Sequence, residues 1–483
     1  MGDFNFLLIL PETWLSIAGL VILLAGLVFK KRREGVLITA SLCAIAIAAF
    51  LVYALARKFG ADARSGFAES IVVDPFSSYF KFLFLGSSFL TLLMSRRFLE
   101  RSSYTGGEFS ALILFATVGM MFMASGTDLI TLYIGLELMA LSTYVLAGYF
   151  KGEVKSNEAG LKYFVLGGMS SGVLLYGLSL IYGTSGSTNI AVIAAKLGAD
   201  PSKLAMLGIV FVSAGLFFKV AAAPFHVWVP DVYEGAPTPV SAFMSVGPKA
   251  AAYALLARIF YNGFYASHEK WVGLVALVAA FTMIWGNVAA LLQNNVKRML
   301  AYSSIAHAGY ALLGVVAFDG KWGLSGVLFY MLAYTFMNLG AFGFVILLET
   351  KGYAGETVSD FEGLSKKHPI AAAGMLLFLL SLAGIPPTAG FLAKYVLFAA
   401  TIKAGYVSLA VIAVISSAIS LFYYFRIVAA MYLKEEKEFT ETISPTRALS
   451  FSLAFCALMT IVVGVAPGPF LEWARASLPA FHR

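Results

Sequence analysis

The stretch FKVAAAPFHVWVPDVYEGAPTPVSAFMSVGPKAA, Phe218–Ala251, sets two lysines, a histidine and five prolines in a chain that is otherwise nearly all apolar. Ionisable residues inside a bilayer are costly, rare and usually functional. A proline removes a backbone donor and breaks a helix. Freed backbone groups are tolerated at membrane depth only where they are buried in protein or line a watery cavity. Charge and break together, near mid-depth, are a device of transport proteins.

The rest of the composition agrees. Of 483 residues, 60% are hydrophobic and 12% charged, with mean hydropathy +0.84. Soluble domains carry roughly 25% charged residues, so the chain reads as an all-α polytopic membrane protein. Its net charge of +8 does not point to nucleic acid, because the basic residues sit in short loops between apolar runs. Cys43 and Cys456 lie in apolar stretches and read as small buried hydrophobes. The opening MGDFNFLLIL has no basic segment before its apolar run, so the first helix is expected to be retained. No Walker A, HExxH or strand–GxGxxG–helix pattern suggests a nucleotide, metal or flavin site.

A spanning helix needs about 20 mostly apolar residues. That ruler gives about 14 spans, near 7–29, 36–56, 76–94, 109–125, 129–150, 160–182, 204–223, 239–261, 271–292, 297–317, 323–348, 370–402, 404–432 and 447–467. The odd-numbered loops hold most of the Lys and Arg, including residues 30–33, Arg96, Arg97, Arg101, Lys151, Lys155, Lys297, Arg298, Lys351, Lys366, Lys367, Lys434, Lys437 and Arg447. Those loops are therefore expected in the cytoplasm, with both termini on the outer, periplasmic side. The longest loops, near 349–369 and 433–446, read as mixed-charge and surface-bound. The pair Gly168 and Gly172 reads as a close helix contact.

Few ionisable residues fall within the spans. Glu137 is mid-span, too deep to snorkel, and reads as a proton-binding carboxylate; a neutral structural glutamic acid is the plainer alternative. Lys219 is deep in its span, five residues before the helix-breaking Pro224. A lysine held between desolvation and a nearby carboxylate can load and release a proton. His226, past the break, either relays protons or bonds freed backbone. Lys249 is near mid-depth in the next span, whereas Arg258, near that span's outer end, reads as snorkelling. Lys162 opens its span, as a bridging carrier or an interfacial anchor. Ser303, His307 and Tyr310 share a helix face, with a satisfied core histidine as the alternative for His307. Lys394 follows a second break at Pro386 and Pro387.

Glu137 precedes Lys219 by 82 residues and His307 precedes Lys394 by 87, each a titratable group two spans before a lysine on a Pro-broken helix. Five spans separate the two sets, and an odd offset inverts the second copy. The expected organisation is helices 1–3 in 1–108, a first five-helix repeat in 109–262, an inverted second repeat in 263–432, and a C-terminal loop and helix in 433–483.

FKVAAAPFHVWVPDVYEGAPTPVSAFMS closely resembles the signature of the antiporter-like membrane subunits of respiratory complex I, the NADH-quinone oxidoreductase, and LSLAGIPPTAGFLAKYVLF does so too. The resemblance covers nearly the whole chain and is greatest to the N branch; the L branch is longer, and the M branch typically carries a glutamate where this chain has Lys394. It implies a proton-translocating subunit of a bacterial inner membrane, with Glu137, Lys219, Lys249 and Lys394 as proton-transfer residues. Lys162, His226 and His307 match less strictly described members of the polar axis. It also implies no redox centre here, with FMN and iron–sulfur clusters in partner subunits and NADH and quinone as substrates of the whole complex. The expected partners are other complex I subunits, especially neighbouring antiporter-like ones, and the bilayer. The alternative is a subunit of an Mrp-type Na⁺/H⁺ antiporter.

Overall fold

A computed structural model describes residues 5–28, 34–60, 62–101, 106–318, 322–349, 355–435 and 446–478. The basic run 30–33, Lys351, Lys437 and most of the 433–446 loop lie outside the described residues. The chain opens with α1 (Leu10–Val28) and α2 (Glu34–Phe59), then a short hairpin of β1 (Arg64–Gly66) and β2 (Ile71–Val73). There follow α3 (Pro75–Arg101), α4 (Gly106–Ser125), α5 (Leu129–Ala147), α6 (Val154–Ser185) and a short α7 (Ile190–Leu197). Next come α8 (Lys203–Val220), α9 (Val229–Gly235), α10 (Thr238–Ala257), α11 (His268–Leu291), α12 (Val296–Val316) and α13 (Gly323–Leu348). The chain continues through α14 (Leu364–Lys367), α15 (Pro369–Ala383), α16 (Ala389–Lys403), α17 (Val407–Leu433), α18 (Arg447–Val465) and α19 (Gly468–Ala476).

Among the described residues, 13 helices are long and apolar enough to cross a membrane. The stretch expected as one span near 370–402 is instead the two short helices α15 and α16, interrupted at Gly384–Thr388. Likewise α8 stops at Val220 and resumes as α9, with Pro224 in the gap. Both interruptions start with a left-handed residue, Ala221 at φ +66° and Gly384 at φ +87°. A Cβ makes that conformation unfavourable, by about 1–2 kcal/mol, so Gly384 is suited to it while Ala221 is held there against its preference.

The helices differ in enclosure. α10, α12 and α13 are wrapped almost completely by the rest of the chain, whereas α1, α6, α17 and α18 present broad apolar faces outward. Close helix approach follows from glycine: a Cβ on Gly119 of α4 or on Gly135 of α5 would strike the other helix's backbone. The Gly168–Gly172 pair behaves otherwise. Both face outward and a Cβ on either would meet nothing within 4 Å, so the expected close contact is not made within this chain. Gly177 instead carries the tight approach of α6 to Val212 on α8.

Two further expectations are corrected. Cys456 is buried, but Cys43 is exposed on α2. Arg258 does not snorkel: it is 1% exposed, and its Nη2 lies 2.8 Å from Asp74 Oδ1 while its Nε donates to the Ala124 carbonyl at 2.9 Å. Asp74 in turn accepts from Ser77 N at the start of α3, so the pair ties the end of α10 to the start of α3.

Candidate functional site

Lys219 is in the last turn of α8 and only 7% exposed. Its Nζ donates to Tyr144 Oη on α5 and to Ser171 Oγ on α6, each at 3.2 Å. The carbonyls freed at this break do not hold it. The Phe218 carbonyl accepts from the Trp228 indole at 3.2 Å, and the Phe217 carbonyl accepts from Ala222 N at 2.8 Å. Thr282 on α11 accepts from Ala223 N at 2.9 Å, which fixes the gap against the neighbouring helix.

Glu137 shares α5 with Tyr144 but makes no ion pair with Lys219. It is half-buried in the same outward row as exposed Ile130, Ile134, Leu141 and Val145, and its Oε1 is buried with no hydrogen-bond partner among the described residues. His226 is buried beyond the break with its ring 6.0 Å from that of Trp285, and its Nδ1 likewise has no hydrogen-bond partner among the described residues.

The centre of the molecule continues the polar line. Lys249, 3% exposed on α10, donates to the Ser304 carbonyl at 2.7 Å and also contacts Ser304 Oγ. One turn along α12, His307 Nδ1 lies 2.5 Å from Tyr330 Oη on α13, and its Nε2 lies 3.4 Å from Tyr424 Oη on α17. Tyr424 Oη is 2.5 Å from Ser303 Oγ. Tyr310 Oη accepts from Asn287 on α11 at 3.0 Å, and Asn287 Oδ1 accepts from Tyr423 at 3.1 Å. All three residues of the α12 stripe thus find hydroxyl or amide partners on surrounding helices.

At the second break the geometry differs from the first. Lys394, 3% exposed on α16, donates to the carbonyls of Leu382 and Ala383 at 2.9 and 3.0 Å and to Ser417 Oγ at 2.9 Å. The last carbonyls of a helix have no intrahelical partner, and here the end of α15 directs two of them at a buried ammonium. The Tyr310 ring lies 4.9 Å from the same Nζ, so Lys394 and the α12 stripe adjoin.

Lys162 stands apart from this line. It is 40% exposed and joins a charged cluster: 2.8 Å from Asp231 Oδ2 and 2.6 Å from Glu158. Arg298 on α12 reaches Asp231 Oδ1 at 2.7 Å and Glu234 at 3.1 Å. Ser171, which holds Lys219, comes nine residues after Lys162 on α6, about 13 Å along the helix.

Charged groups in the interior fall into two kinds. Lys81 with Glu12, at 2.6 Å and at most 3% exposed, and Arg258 with Asp74 are closed ion pairs. Lys219, Lys249 and Lys394 are equally buried yet have no carboxylate within ion-pair distance among the described residues; Lys297, at the start of α12 and 5% exposed, shares that state, with its Nζ donating to the Ala236 carbonyl at 2.8 Å. No three His, Cys, Asp or Glu side chains among the described residues gather to hold a metal ion. The hydroxyls of Tyr144, Ser171, Ser304, Tyr330, Tyr424 and Ser417 were not legible as site residues, because Ser and Tyr are ordinary in membrane helices. Only the seven-residue spacing of Glu137 and Tyr144 carried a signal.

Residues 126–420, more than half of the chain, match the family described as NADH:quinone oxidoreductase/Mrp antiporter, TM. The chain is 45% identical over 477 residues to the NADH-quinone oxidoreductase subunit N of Trichlorobacter lovleyi, covering 98% of this chain and 97% of that one. It superposes on a chain of respiratory complex I from Thermus thermophilus with bound aureothin at TM-score 0.81, with 32% identity, covering 97% of this chain and 100% of that chain. A chain of the Mrp complex from Dietzia sp. shares the fold at TM-score 0.85, with 22% identity over 98% of this chain and 97% of that one.

Proposed function

The chain belongs to the NADH:quinone oxidoreductase/Mrp antiporter family, in its subunit N branch, and from that premise we propose that Lys219, Lys249 and Lys394 are the proton carriers. It is a multi-pass, proton-translocating antiporter-like membrane subunit of complex I, working beside the other subunits of that complex. The observation that carries the residue assignment is the contrast between closed and open charges. A buried ammonium without a counter-ion is strongly disfavoured. Lys219, Lys249 and Lys394 combine that state with a place on the polar line of hydroxyls that runs between the two helix breaks, which Lys297 at the start of α12 does not share, and they fit groups that must give up a proton and take it back.

In this account protons enter from the cytoplasm, past the cluster of Lys162, Asp231 and Arg298, towards Lys219. Glu137 tunes how firmly Lys219 holds its proton, as the pair closes and opens with charge changes in a neighbouring subunit. The outward row that carries Glu137 suits such communication. Lys249 and His307, with the hydroxyls of Ser304, Tyr330 and Tyr424, pass protons sideways, and Lys394 releases them outward. His226 serves as an accessory group at the entry break. Moving one charge against 100 mV costs about 2.3 kcal/mol, and a shift of two units in a lysine's proton affinity supplies about 2.7 kcal/mol.

The two lysine-bearing breaks support the division into repeats over 109–262 and 263–432, as two half-channels, with 1–108 and 433–483 as flanking segments. The basic bias of the odd loops supports outward termini in a bacterial inner membrane. FMN and iron–sulfur clusters then reside in partner subunits, with NADH and quinone as substrates of the complex. Copurification with flavin-bearing subunits separates this reading from an Mrp-type antiporter. The residue assignment is tested by Glu137→Gln in membrane vesicles. NADH-driven pumping is expected to fall about tenfold; pumping and turnover at the unsubstituted level overturn the role.

A further inference from the structure

Lys219 can be held from two directions on the same helix. Glu137 and Tyr144 are seven residues apart on α5, which puts them on nearly the same face and about 10 Å apart along the axis. The ammonium occupies the Tyr144 end, 3.2 Å from its hydroxyl, while Glu137 Oε1 has no hydrogen-bond partner among the described residues. The space at that end is built. A Cβ on Gly167 of α6 would collide with the Tyr144 hydroxyl. The Tyr163 ring fixes Tyr144 edge-on with ring centres 4.6 Å apart, and Tyr163 is itself stacked on Trp228 from the helix break at 4.3 Å. Ser171, also on α6, completes the cradle at 3.2 Å. Tyr144 is thus locked by packing in the orientation that receives the lysine.

We propose that the Tyr144 hydroxyl is a second dock for the Lys219 ammonium, competing with Glu137 and defining the open state of that pair. This rests on the proton-path reading above. Tyr144 is a positioning residue: it neither takes nor gives the translocated proton. A neutral hydroxyl holds the ammonium in place without the charge that would keep the proton on it, whereas the carboxylate retains both. Removing the hydroxyl leaves Glu137 as the stronger partner and traps the pair closed. The stem of a lysine is flexible enough to serve both partners, and the stiff Tyr144–Tyr163–Trp228 stack links the dock to the break itself.

The test is a double-substitution cycle on NADH-driven proton pumping by vesicles holding the whole complex, normalised to assembled complex. Tyr144→Phe keeps the ring and is expected to cut pumping about tenfold, the scale of one hydrogen bond to a charged group. Gly167→Ala, which displaces the hydroxyl without touching it chemically, should give the same defect and serves if Tyr144→Phe does not assemble. Combined with Glu137→Gln, Tyr144→Phe should add little, because the competing carboxylate charge is gone. A purely structural tyrosine would give multiplying losses, about a hundredfold together. Multiplying losses, or full pumping by Tyr144→Phe or Gly167→Ala while Glu137→Gln pumps poorly, overturn the dock and leave the proton path standing. Full pumping by Glu137→Gln overturns the path reading itself.

Discussion

Lys394 Nζ lies 2.9 Å from the carbonyl oxygen of Leu382, which it reaches because α15 ends one residue later. A helix end normally leaves carbonyls for water or a cap; this one is turned on a buried ammonium that has no carboxylate within ion-pair distance among the described residues. The break and the charge are therefore one construction at this site.

Replacing Lys394 with Met tests what the construction is for. The substitution forfeits three hydrogen bonds, about 1–3 kcal/mol each where an acceptor stays buried and unmet. It also removes the desolvation cost of a lone ammonium, several kcal/mol. The two nearly offset, so thermal stability of the assembled complex, followed by differential scanning, is expected to stay close to that of the unsubstituted protein. Pumping should drop about tenfold or more. A large loss of stability with pumping retained would mean that Lys394 is structural.

Arg258 should behave in the opposite way. Its guanidinium and the Asp74 carboxylate form a closed pair, both at most 2% exposed. Substituting Arg258 with Leu leaves Asp74 charged and alone, at a cost of about 3–5 kcal/mol. The expected result is a marked fall in assembled complex on native gels, partly recovered when Asp74→Asn is added. Normal assembly of the single variant would contradict the clamp.

Lys162 is partly exposed and sits in a charged cluster away from the line of carriers. Its partners Glu158 and Asp231 are themselves partly exposed, and such pairs contribute about 0–1 kcal/mol. Lys162→Gln is expected to change pumping by less than about fivefold, the equivalent of 1 kcal/mol. A defect as deep as that of Lys219→Gln, read in the same vesicle assay, would return Lys162 to the path.

Much of this was legible in one dimension. Lys219 and Lys394 stand out because a charge within an apolar run beside prolines has few readings. The 14-span count held except that residues 370–402 divide into α15 and α16, a division Pro386 and Pro387 already mark. What sequence could not supply was the far side of each contact. Arg258 read as snorkelling because its partner Asp74 is 184 residues away. Gly168 and Gly172 carry the spacing of a packed pair, yet which face of α6 meets α8 is settled by Gly177 and Val212 in three dimensions. The two breaks looked like mirror versions of one device. In the fold only the second gives its carbonyls to its lysine; at the first the Trp228 indole donates to the Phe218 carbonyl instead.

In the proposed path protons cross between the two halves through Lys249, whose Nζ reaches Ser304 one turn from His307. The most direct measurement is NADH-driven proton uptake by inside-out vesicles carrying Lys249→Met, with the amount of assembled complex held equal. Pumping is expected to fall about tenfold or more, with the subunit still assembled. Pumping at the unsubstituted rate in that variant would contradict it.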